Sequence, residues 1–356
     1  MSTKTISASS ILFRRIVSAP VMAALARHST GQAPAYGTDP LTDSVSARFS
    51  EIFETETSVY YVGTGSAANS IALSAFAKPG GAVFCHRDAH IQVDECGCPE
   101  FMTGGEKLVP VAGENGKISA DALLRAMAAF PNGNVHNGQV ASVSITQSTE
   151  CGTVYTLDEI SAIKAVASER GVPLHMDGAR FANALVSLGV SPADMTWKAG
   201  VDVLSFGATK NGCWCAEAIV FFDQAQARGF EFFRKRAGHL FSKSRFVSAQ
   251  LDGYFEDDAW LGTASHANEM AQQLADGIRA AGGRTAWPVE ANEVFPILTR
   301  ERAQRLRDAG AQFYEWPALA LPAHMAPGED EVCLRLVTSF ATRDEDVACF
   351  VELLGS

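Results

Sequence analysis

Strand-like and helix-like segments alternate along this chain from about residue 50 to residue 246. Short runs rich in β-branched residues, such as QVASVSIT (139–146), are followed by longer segments with apolar residues at helical spacing, such as LDEISAIKAVASERG (157–171). Strands that return in the same direction through helices build a parallel sheet covered by helices. The alternation therefore predicts an α/β fold with a mostly parallel sheet.

The pattern changes after Phe246. A long helical segment (257–283) is followed by short strand-like runs such as EVFPIL (293–298) and VCLRLVTSF (332–340). We predict three parts: an N-terminal arm or helix (1–30), a large α/β domain (31–245) and a small C-terminal α+β domain (246–356).

Charge and cysteine content limit the function classes. The formal net charge is -11 over 356 residues, which opposes binding to nucleic acid or to an anionic membrane. Eight cysteines are too dilute for a disulfide framework, and no apolar run reaches the roughly 18 residues of a membrane span. We expect a cytoplasmic enzyme with reduced thiols.

The N-terminal segment has the composition of an organellar transit peptide, because its first acidic residue is Asp39. The alternative is a flexible start followed by an amphipathic helix from about Pro20. We favour the helix, because it runs directly into the globular chain.

In parallel sheets, ligands bind beyond the carboxyl ends of the strands, so polar residues that follow strands are candidates. The turn VGTGSAAN (62–69) can cradle a phosphate with backbone N–H groups and the Ser66 hydroxyl. The same turn matches a dinucleotide fingerprint, with Asp88 as the ribose acid, and would then indicate a nicotinamide dehydrogenase. It can also be a simple tight turn.

The stretch CHRDAHIQVDECGC (85–98) suggests a metal site at first sight. It holds His86 and His90, followed by Cys96 and Cys98. Cys-x-Cys is not the usual Cys-x-x-Cys spacing and no second pair lies nearby, so we predict no metal. His90 remains a candidate functional residue because it follows a strand end.

Two further strand ends carry an acid and a lysine. Asp177 and Arg180 follow the strand GVPLHMD, and by themselves fit either a structural ion pair or a carboxylate that faces a cationic ligand. Lys210 lies among small and apolar residues after VDVLSFG, where desolvation lowers a lysine pKa and leaves an amine free to bond to an aldehyde. Pyridoxal 5'-phosphate needs such a lysine, an acid for its ring nitrogen and a phosphate cradle. A dinucleotide would leave Asp177 and Lys210 without a role.

The motif HMDGARFANA (175–184), with the lysine of SFGATKNG (205–212) placed 33 residues after its acid, resembles the low-specificity threonine aldolases. These belong to the fold type I pyridoxal phosphate enzymes, which also include the β-eliminating lyases. The resemblance runs from about residue 20 to the end. Other matching pieces are YGTDPLT (36–42), VGTGSAANSIAL (62–73), DAHIQVDECG (88–97), ITQSTECGTVY (145–155), GHLFSKSRFVSAQ (238–250), HANEMA (266–271), VEANEVF (289–295) and RLVTSF (335–340).

The resemblance implies a fold type I enzyme with a large and a small domain, and it implies roles for the candidates. Lys210 would hold the cofactor, Asp177 would pair with its ring nitrogen, and His90 would stack on the ring. The other cofactor-binding and substrate-binding positions that it implies are Gly65 and Ser66 for the phosphate, Arg180 near the ring hydroxyl and substrate, and Arg335 for the substrate carboxylate.

Three further positions follow from the resemblance. His136 matches a second active-site histidine, so His90, His136 or a water between them would act as the catalytic base. Tyr36 and Arg245 match positions that reach a cofactor in a neighbouring subunit, which implies a homodimer or homotetramer with shared active sites. The first 18 residues depart from the family pattern, since no Asp precedes Asp39.

The predicted function is retro-aldol cleavage of β-hydroxy-α-amino acids, such as threonine, allo-threonine or phenylserine, to glycine and an aldehyde. Within the same cofactor class, β-elimination, transamination and racemisation remain alternatives. The dehydrogenase and an oligomeric scaffold without chemistry are alternatives outside it.

Overall fold

The computed structural model describes residues 16–317, 321 and 323–355. Within this part of the chain, seven strands form the main sheet in the order β1-β7-β6-β5-β4-β2-β3. Their bounds are Ser58–Val62 (β1), Gly81–His86 (β2), Lys107–Val111 (β3), Gln139–Thr146 (β4), Leu174–Gly178 (β5), Val203–Gly207 (β6) and Glu217–Phe221 (β7). Half of the predicted N-terminal part, residues 1–15, lies outside the described residues, and a helix is present where it was expected from about Pro20, at Ala19–Arg27.

The predicted mostly parallel sheet is confirmed. β2 pairs in parallel with β3 and β4, and the parallel pairing continues through β5 to β6. β7 is antiparallel to both β6 and β1. Because β1 runs in the same direction as β6, the carboxyl ends of all strands except β7 lie along one edge of the sheet.

Helices connect and cover these strands. Several of these helices begin at a residue whose side chain caps the first turn. Helix α7, for example, starts with a capping box between Thr156 and Glu159. The helices before the second sheet are Ala19–Arg27 (α1), Pro40–Ile52 (α2), Gly65–Ser74 (α3), His90–Val93 (α4), Cys98–Met102 (α5), Ala120–Ala128 (α6), Leu157–Glu169 (α7), Phe181–Leu188 (α8), Pro192–Met195 (α9), Phe230–Arg236 (α10), Arg245–Phe255 (α11) and Ala259–Ala280 (α12). None of the helices in the described ranges is long and apolar enough to cross a membrane.

A second, antiparallel sheet lies in the C-terminal part, as predicted. Among the described residues it contains Arg284–Thr285 (β8), Glu293–Val294 (β9), Pro296–Thr299 (β10), Tyr314–Glu315 (β11) and Glu331–Val337 (β12). The helices Arg300–Asp308 (α13) and Asp344–Gly355 (α14) accompany it. Leu334, Leu336 and Phe350 pack with the second half of α12 in its core.

Helix α12 contributes to both cores. Trp260 and Ala264, near its start, pack in the core of the main sheet, whereas Leu274 and Ile278 pack in the second core. The main core also takes Val247 and other apolar residues of α11. The domain boundary at residue 245 stays a prediction, and the apolar packing of the main core continues beyond it.

Candidate active site

The carboxyl ends of β4, β5 and β6 open onto a cavity of about 540 Å³. The main sheet contributes Asp177 and Lys210 to its lining, and the second sheet contributes Arg335. The cavity therefore lies between the two sheets, at the place where ligands bind in parallel α/β proteins. Its lining also includes Ile16, Val17, His90, Asp94, Glu150, Arg180, Trp214 and Trp316.

Asp177 ends β5 as a buried carboxylate held by two donors. Its Oδ1 accepts the backbone N–H of Ala179 at 2.9 Å, and its Oδ2 accepts Nδ2 of Asn69 at 2.8 Å. Gly178 follows because the neighbouring strand is too close for a side chain: a Cβ there would lie 2.8 Å from Ser205 O. These contacts fix the carboxylate at the cavity wall.

His90 starts the short helix α4 and is oriented by a buried acid. Its Nδ1 lies 2.8 Å from Oε1 of Glu95, and the same oxygen accepts Nδ2 of Asn69 at 2.9 Å. The bond to Glu95 raises the pKa of His90 above its usual value, although burial opposes the shift. His90, Glu95, Asn69 and Asp177 thus form one continuous network.

Lys210 follows β6 on a single helical turn, Thr209–Asn211. It is accessible from the cavity but densely surrounded by protein, and this desolvation lowers its pKa. Repulsion by Arg180 lowers it further, while Asp177 opposes the shift. A lysine with a lowered pKa offers more free amine to an electrophilic carbonyl.

A buried acid joins two arginines on opposite sides of the cavity. Glu293 accepts Nε and Nη2 of Arg335 at 2.9 and 2.7 Å, and Nη1 of Arg180 lies 3.1 Å from its other oxygen. The two guanidinium groups lower the pKa of Glu293 against the opposing effect of burial. Arg335 also lies over the ring of Trp316, with 5.3 Å from Cζ to the ring centroid. Arg180 Nε has no hydrogen-bond partner among the described residues, so this N–H group remains available to donate to a ligand.

Two other acids near the cavity have strongly raised pKa values. Burial raises the pKa of Glu150 to about 7, and the negative charge of Asp177 adds to the shift. Burial likewise raises the pKa of Glu217 to about 7; its Oε2 accepts the backbone N–H of Ala208 at 3.1 Å. Within the sheet, His175 lies between the hydroxyls of Ser144 and Ser205, and burial lowers its pKa to about 4.

Gly65 and Ser66 lie at the start of α3, where β1 ends. Thr64 caps the helix by accepting the N–H of Ala67 at 3.2 Å. Neither predicted phosphate residue is part of the cavity lining. They lie one helical turn before Asn69, which reaches Asp177, and their role stays a prediction.

Tyr36 and Arg245 also lie outside this chain's cavity lining. Tyr36 is 49% exposed, and its N–H donates to Ser242 O at 2.9 Å, which joins its loop to the start of α11. Nε of Arg245 is buried without a hydrogen-bond partner among the described residues. Their predicted role across a subunit boundary stays a prediction.

His136, which matches a second active-site histidine, lies outside this chain's cavity lining, and its role stays a prediction. His136 is exposed in the loop before β4, and the cavity lies beyond the opposite end of that strand. An eight-residue strand separates the two ends by about 25 Å at 3.3 Å per residue. His136 therefore does not reach the cavity of its own chain.

The two histidines of the metal alternative are engaged elsewhere. His86 Nε2 lies 3.2 Å from Gly113 O, and its Nδ1 accepts the N–H of Asp88 at 3.2 Å. His90 is bonded to Glu95. Across the described ranges, no three His, Cys, Asp or Glu side chains are grouped to hold a metal ion.

The acids and the amide that hold this site together were not predicted from the sequence. Glu95, Glu150 and Glu293 lie within segments that carry the family resemblance, but no role was assigned to them. Asn69 lies one helical turn after the predicted phosphate turn. The available signal was the position of two of these acids relative to strands: Glu150 follows the end of β4, and Glu293 begins β9.

Comparison with a family model and with known relatives points to the same class of protein. The family model described as beta-eliminating lyase matches residues 17–301. A low specificity L-threonine aldolase from a Pseudomonas species is 43% identical over 82% of this chain and 84% of its own length. Its counterpart from Pseudomonas aeruginosa is 45% identical over the same shares.

A solved structure is also similar over almost the whole chain. The threonine aldolase of Leishmania major has a TM-score of 0.88 and 29% sequence identity, and 96% of each chain is covered. This similarity confirms the predicted fold type I architecture.

Proposed function

This chain belongs to the beta-eliminating lyase family, and from that membership we propose that it is a pyridoxal phosphate-dependent lyase. Its reaction is the cleavage of threonine and related β-hydroxy-α-amino acids to glycine and an aldehyde. The observation that carries the proposal is that Lys210, Asp177 and Arg335 line one cavity between the two sheets.

The residues fit pyridoxal 5'-phosphate. A lysine with a lowered pKa can bond to the aldehyde, and the buried carboxylate of Asp177 can face a cationic ring nitrogen. Arg180 Nε is a buried donor without a partner among the described residues, and the start of α3 offers backbone N–H groups for a phosphate. The cofactor, when bound, supplies a sink for the electron pair left when a bond to Cα breaks.

We assign the remaining roles to this chain's own residues. Asp177, whose two oxygens are fixed by Asn69 and Ala179, would keep the proton on the ring nitrogen of the bound cofactor. His90, held by Glu95, would stack on the ring. The bonds of Arg335 to Glu293 use Nε and Nη2, so Nη1 is the nitrogen that we assign to the substrate carboxylate.

Product analysis tests the reaction. The purified protein, saturated with pyridoxal phosphate, is incubated with L-threonine, L-allo-threonine and phenylserine. We expect equal amounts of glycine and aldehyde. Formation of 2-oxobutanoate and ammonia would indicate β-elimination, and an amino acid formed from an added oxo acid would indicate transamination. Conversion of the substrate to its Cα epimer alone would indicate racemisation.

Reductive labelling tests the cofactor assignment separately. Reduction with borohydride should fix the cofactor to one peptide, and mass spectrometry should find the added mass on Lys210. A label on another lysine, with wild-type activity retained in Lys210→Ala, would refute the assignment. If no peptide carries the added mass and the native protein instead holds a bound nicotinamide, the dehydrogenase alternative would be supported.

We further propose a cytoplasmic homodimer or homotetramer with shared sites. All eight cysteines lie among the described residues as free thiols, which supports a reducing compartment. Tyr36, Phe101 and Phe232 are 49%, 83% and 72% exposed, and large apolar side chains at the surface support burial against another subunit. Light scattering would show the mass. Recovered activity in a mixture of Tyr36→Ala and Lys210→Ala proteins would show sharing of sites.

A further inference from the structure

We propose that Glu150 is the base that takes the β-hydroxyl proton when the Cα–Cβ bond of the substrate breaks. The inference rests on the proposed retro-aldol reaction and deepens it. No histidine other than His90 lies in the cavity lining that the described residues form.

The position of Glu150 is set by β4 and α4. It lies four residues after the end of β4 and lines the cavity together with His90, Lys210 and Arg335. Its Oε1 accepts the backbone N–H of His90 at 2.7 Å. Its Oε2 is enclosed and has no hydrogen-bond partner in the part of the chain that the structure describes. One oxygen is therefore fixed by the backbone. The Thr146 hydroxyl also faces the carboxyl group and opposes the rise of its pKa, and Oε2 has lone pairs free for an O–H donor that enters the cavity.

The basicity of Glu150 suits proton transfer near neutral pH. Burial raises its pKa to about 7, with a further contribution from Asp177, and the N–H of His90 opposes the shift. A carboxylate with such a pKa is a stronger base than an ordinary one and is still ionised in about half of the molecules at pH 7. The charged groups that face it are Asp177 on β5, Arg180 before α8, Arg335 on β12 and, through its backbone, His90 on α4.

The other candidate bases are less suited. The bond to Glu95 raises the pKa of His90, which favours the protonated ring and makes it a donor rather than an acceptor. Asp177 already accepts two hydrogen bonds, from Asn69 and Ala179. The lowered pKa of Glu293, held by its two arginines, makes it a weak base.

The step balances without an oxidant or reductant. The β-hydroxyl proton passes to Glu150 Oε2, and the O–H electron pair forms the carbonyl of the departing aldehyde. The pair of the Cα–Cβ bond stays on the glycine fragment, stabilised by the cofactor. Cα then gains a proton from water, and Glu150 releases its own proton to water, so that the carboxylate is restored.

The test compares Glu150→Gln with wild type in the cofactor-saturated enzyme. Glutamine keeps the size and can still accept the His90 N–H, but it cannot take a proton. We expect kcat/KM for threonine cleavage to fall by about 10²-fold or more, in the range of general acid–base contributions. Exchange of the Cα hydrogen of glycine with deuterated water needs no hydroxyl deprotonation, so it should stay within about threefold. Cofactor affinity and melting temperature should also stay near the wild-type values.

The pH profile adds a second readout. Because the base must be ionised, the wild-type kcat/KM should rise with pH through about 7 and then level off. This rise should be absent in Glu150→Gln and present in Glu114→Gln, which removes an exposed carboxylate outside this cavity. Asp94→Asn removes another cavity acid and should also keep the rise.

Three results would overturn the inference while leaving the proposed function intact. The first is a kcat/KM of Glu150→Gln for cleavage within about fivefold of wild type, and the second is an equal loss of cleavage and of glycine exchange in that variant. The third is loss of the pH-dependent rise in Asp94→Asn and not in Glu150→Gln. If wild type itself cleaves no β-hydroxy-α-amino acid, the proposed function fails.

Discussion

At the scale of single residues, the site is a set of buried charges, each fixed by a partner. Glu293 pairs with both Arg180 and Arg335, and Asn69 joins Asp177 to the acid that holds His90. Buried charges are tolerated only when they are paired or hydrogen-bonded. The same pairs that offset desolvation therefore also orient the groups that would bind cofactor and substrate.

Replacing Glu293 by glutamine should destabilise the protein, because two buried guanidinium groups lose their counter-charge. We expect a loss of about 3 kcal/mol in the free energy of unfolding at pH 7, measured in urea. The pKa of Glu293 is lowered by folding, so its contribution is present above its unfolded pKa of about 4.3 and is lost as pH falls through the folded value. The difference between variant and wild type should therefore shrink only in acid.

Glu331→Gln is the matched control for that prediction. Glu331 pairs with Arg284 at 2.6 Å, but the two side chains are 31% and 39% exposed. Its removal should cost less than about 1 kcal/mol. Equal losses in the two variants would show that Glu293 has no special electrostatic role.

Replacing Asp177 by asparagine should impair cleavage while leaving the fold intact. The variant keeps the shape but loses the charge that holds the ring-nitrogen proton. A charge-assisted hydrogen bond contributes about 1.5–3 kcal/mol, which corresponds to a loss of roughly 10- to 100-fold in kcat. Steady-state kinetics at saturating cofactor and a melting curve measure both effects. Near-full activity would refute the assigned role.

The sequence predicts the residues that would bind cofactor and substrate better than the residues that hold them in place. Lys210, Asp177 and Arg335 follow or lie on strands with a clear pattern, and the cavity contains all three. Glu293 could not be assigned because its partners come from distant segments, as in its pairing with Arg180. Glu95 lies only five residues after its partner His90, but its second partner, Asn69, comes from a separate helix. His136 was assigned through the resemblance alone, and in this chain it lies at the end of β4 that is remote from the cavity.

At the scale of elements, helix α1 packs on α11 and positions the segment before it, which forms part of the cavity wall. The residues just before it, Ile16 and Val17, line the cavity, and the N–H of Ser18 donates to Gly212 O at 2.8 Å, two residues after Lys210. The helices approach closely at Gly253, where a Cβ would lie 2.6 Å from Pro20 O. The position of α1 therefore depends on a glycine in α11.

Replacing Gly253 by alanine should displace α1. We expect a loss of about 1–3 kcal/mol in the free energy of unfolding, as for other overpacked sites, together with a raised KM. Gly262→Ala is the control, since Gly262 is exposed in α12 and a Cβ there meets nothing within 4 Å. That change should stabilise slightly, by about 0.5–1 kcal/mol, and leave KM unchanged. A raised KM in both variants, or in neither, would contradict the role of α1.

The elements with strong periodicity were predictable. β4 spans the eight residues that its pattern indicates, and α12 lies within the predicted long helix. Strands β3 and β7 were not predicted from the sequence. The pairing of β7 in the antiparallel direction depends on both of its neighbours in the sheet, β6 and β1, which a local pattern does not contain.

At the scale of the whole molecule, the cavity exists because two sheets face each other. β4, β5 and β6 present the lysine and the carboxylates at one edge, and β12 presents Arg335 from the second sheet. The bond between Glu293 and Arg180 links the two halves directly. The substrate carboxylate and the reacting amine are thus held by different parts of the fold.

The central claim is that this cavity cleaves the Cα–Cβ bond of a β-hydroxy-α-amino acid and that Lys210 is essential. The most direct measurement follows L-threonine labelled with ¹³C at Cα by NMR, with wild-type and Lys210→Ala enzymes at saturating pyridoxal phosphate. The account predicts one labelled glycine for each threonine consumed by the wild type, and none above background with the variant. Labelled 2-oxobutanoate in place of glycine, or equal glycine formation by the variant, would contradict it.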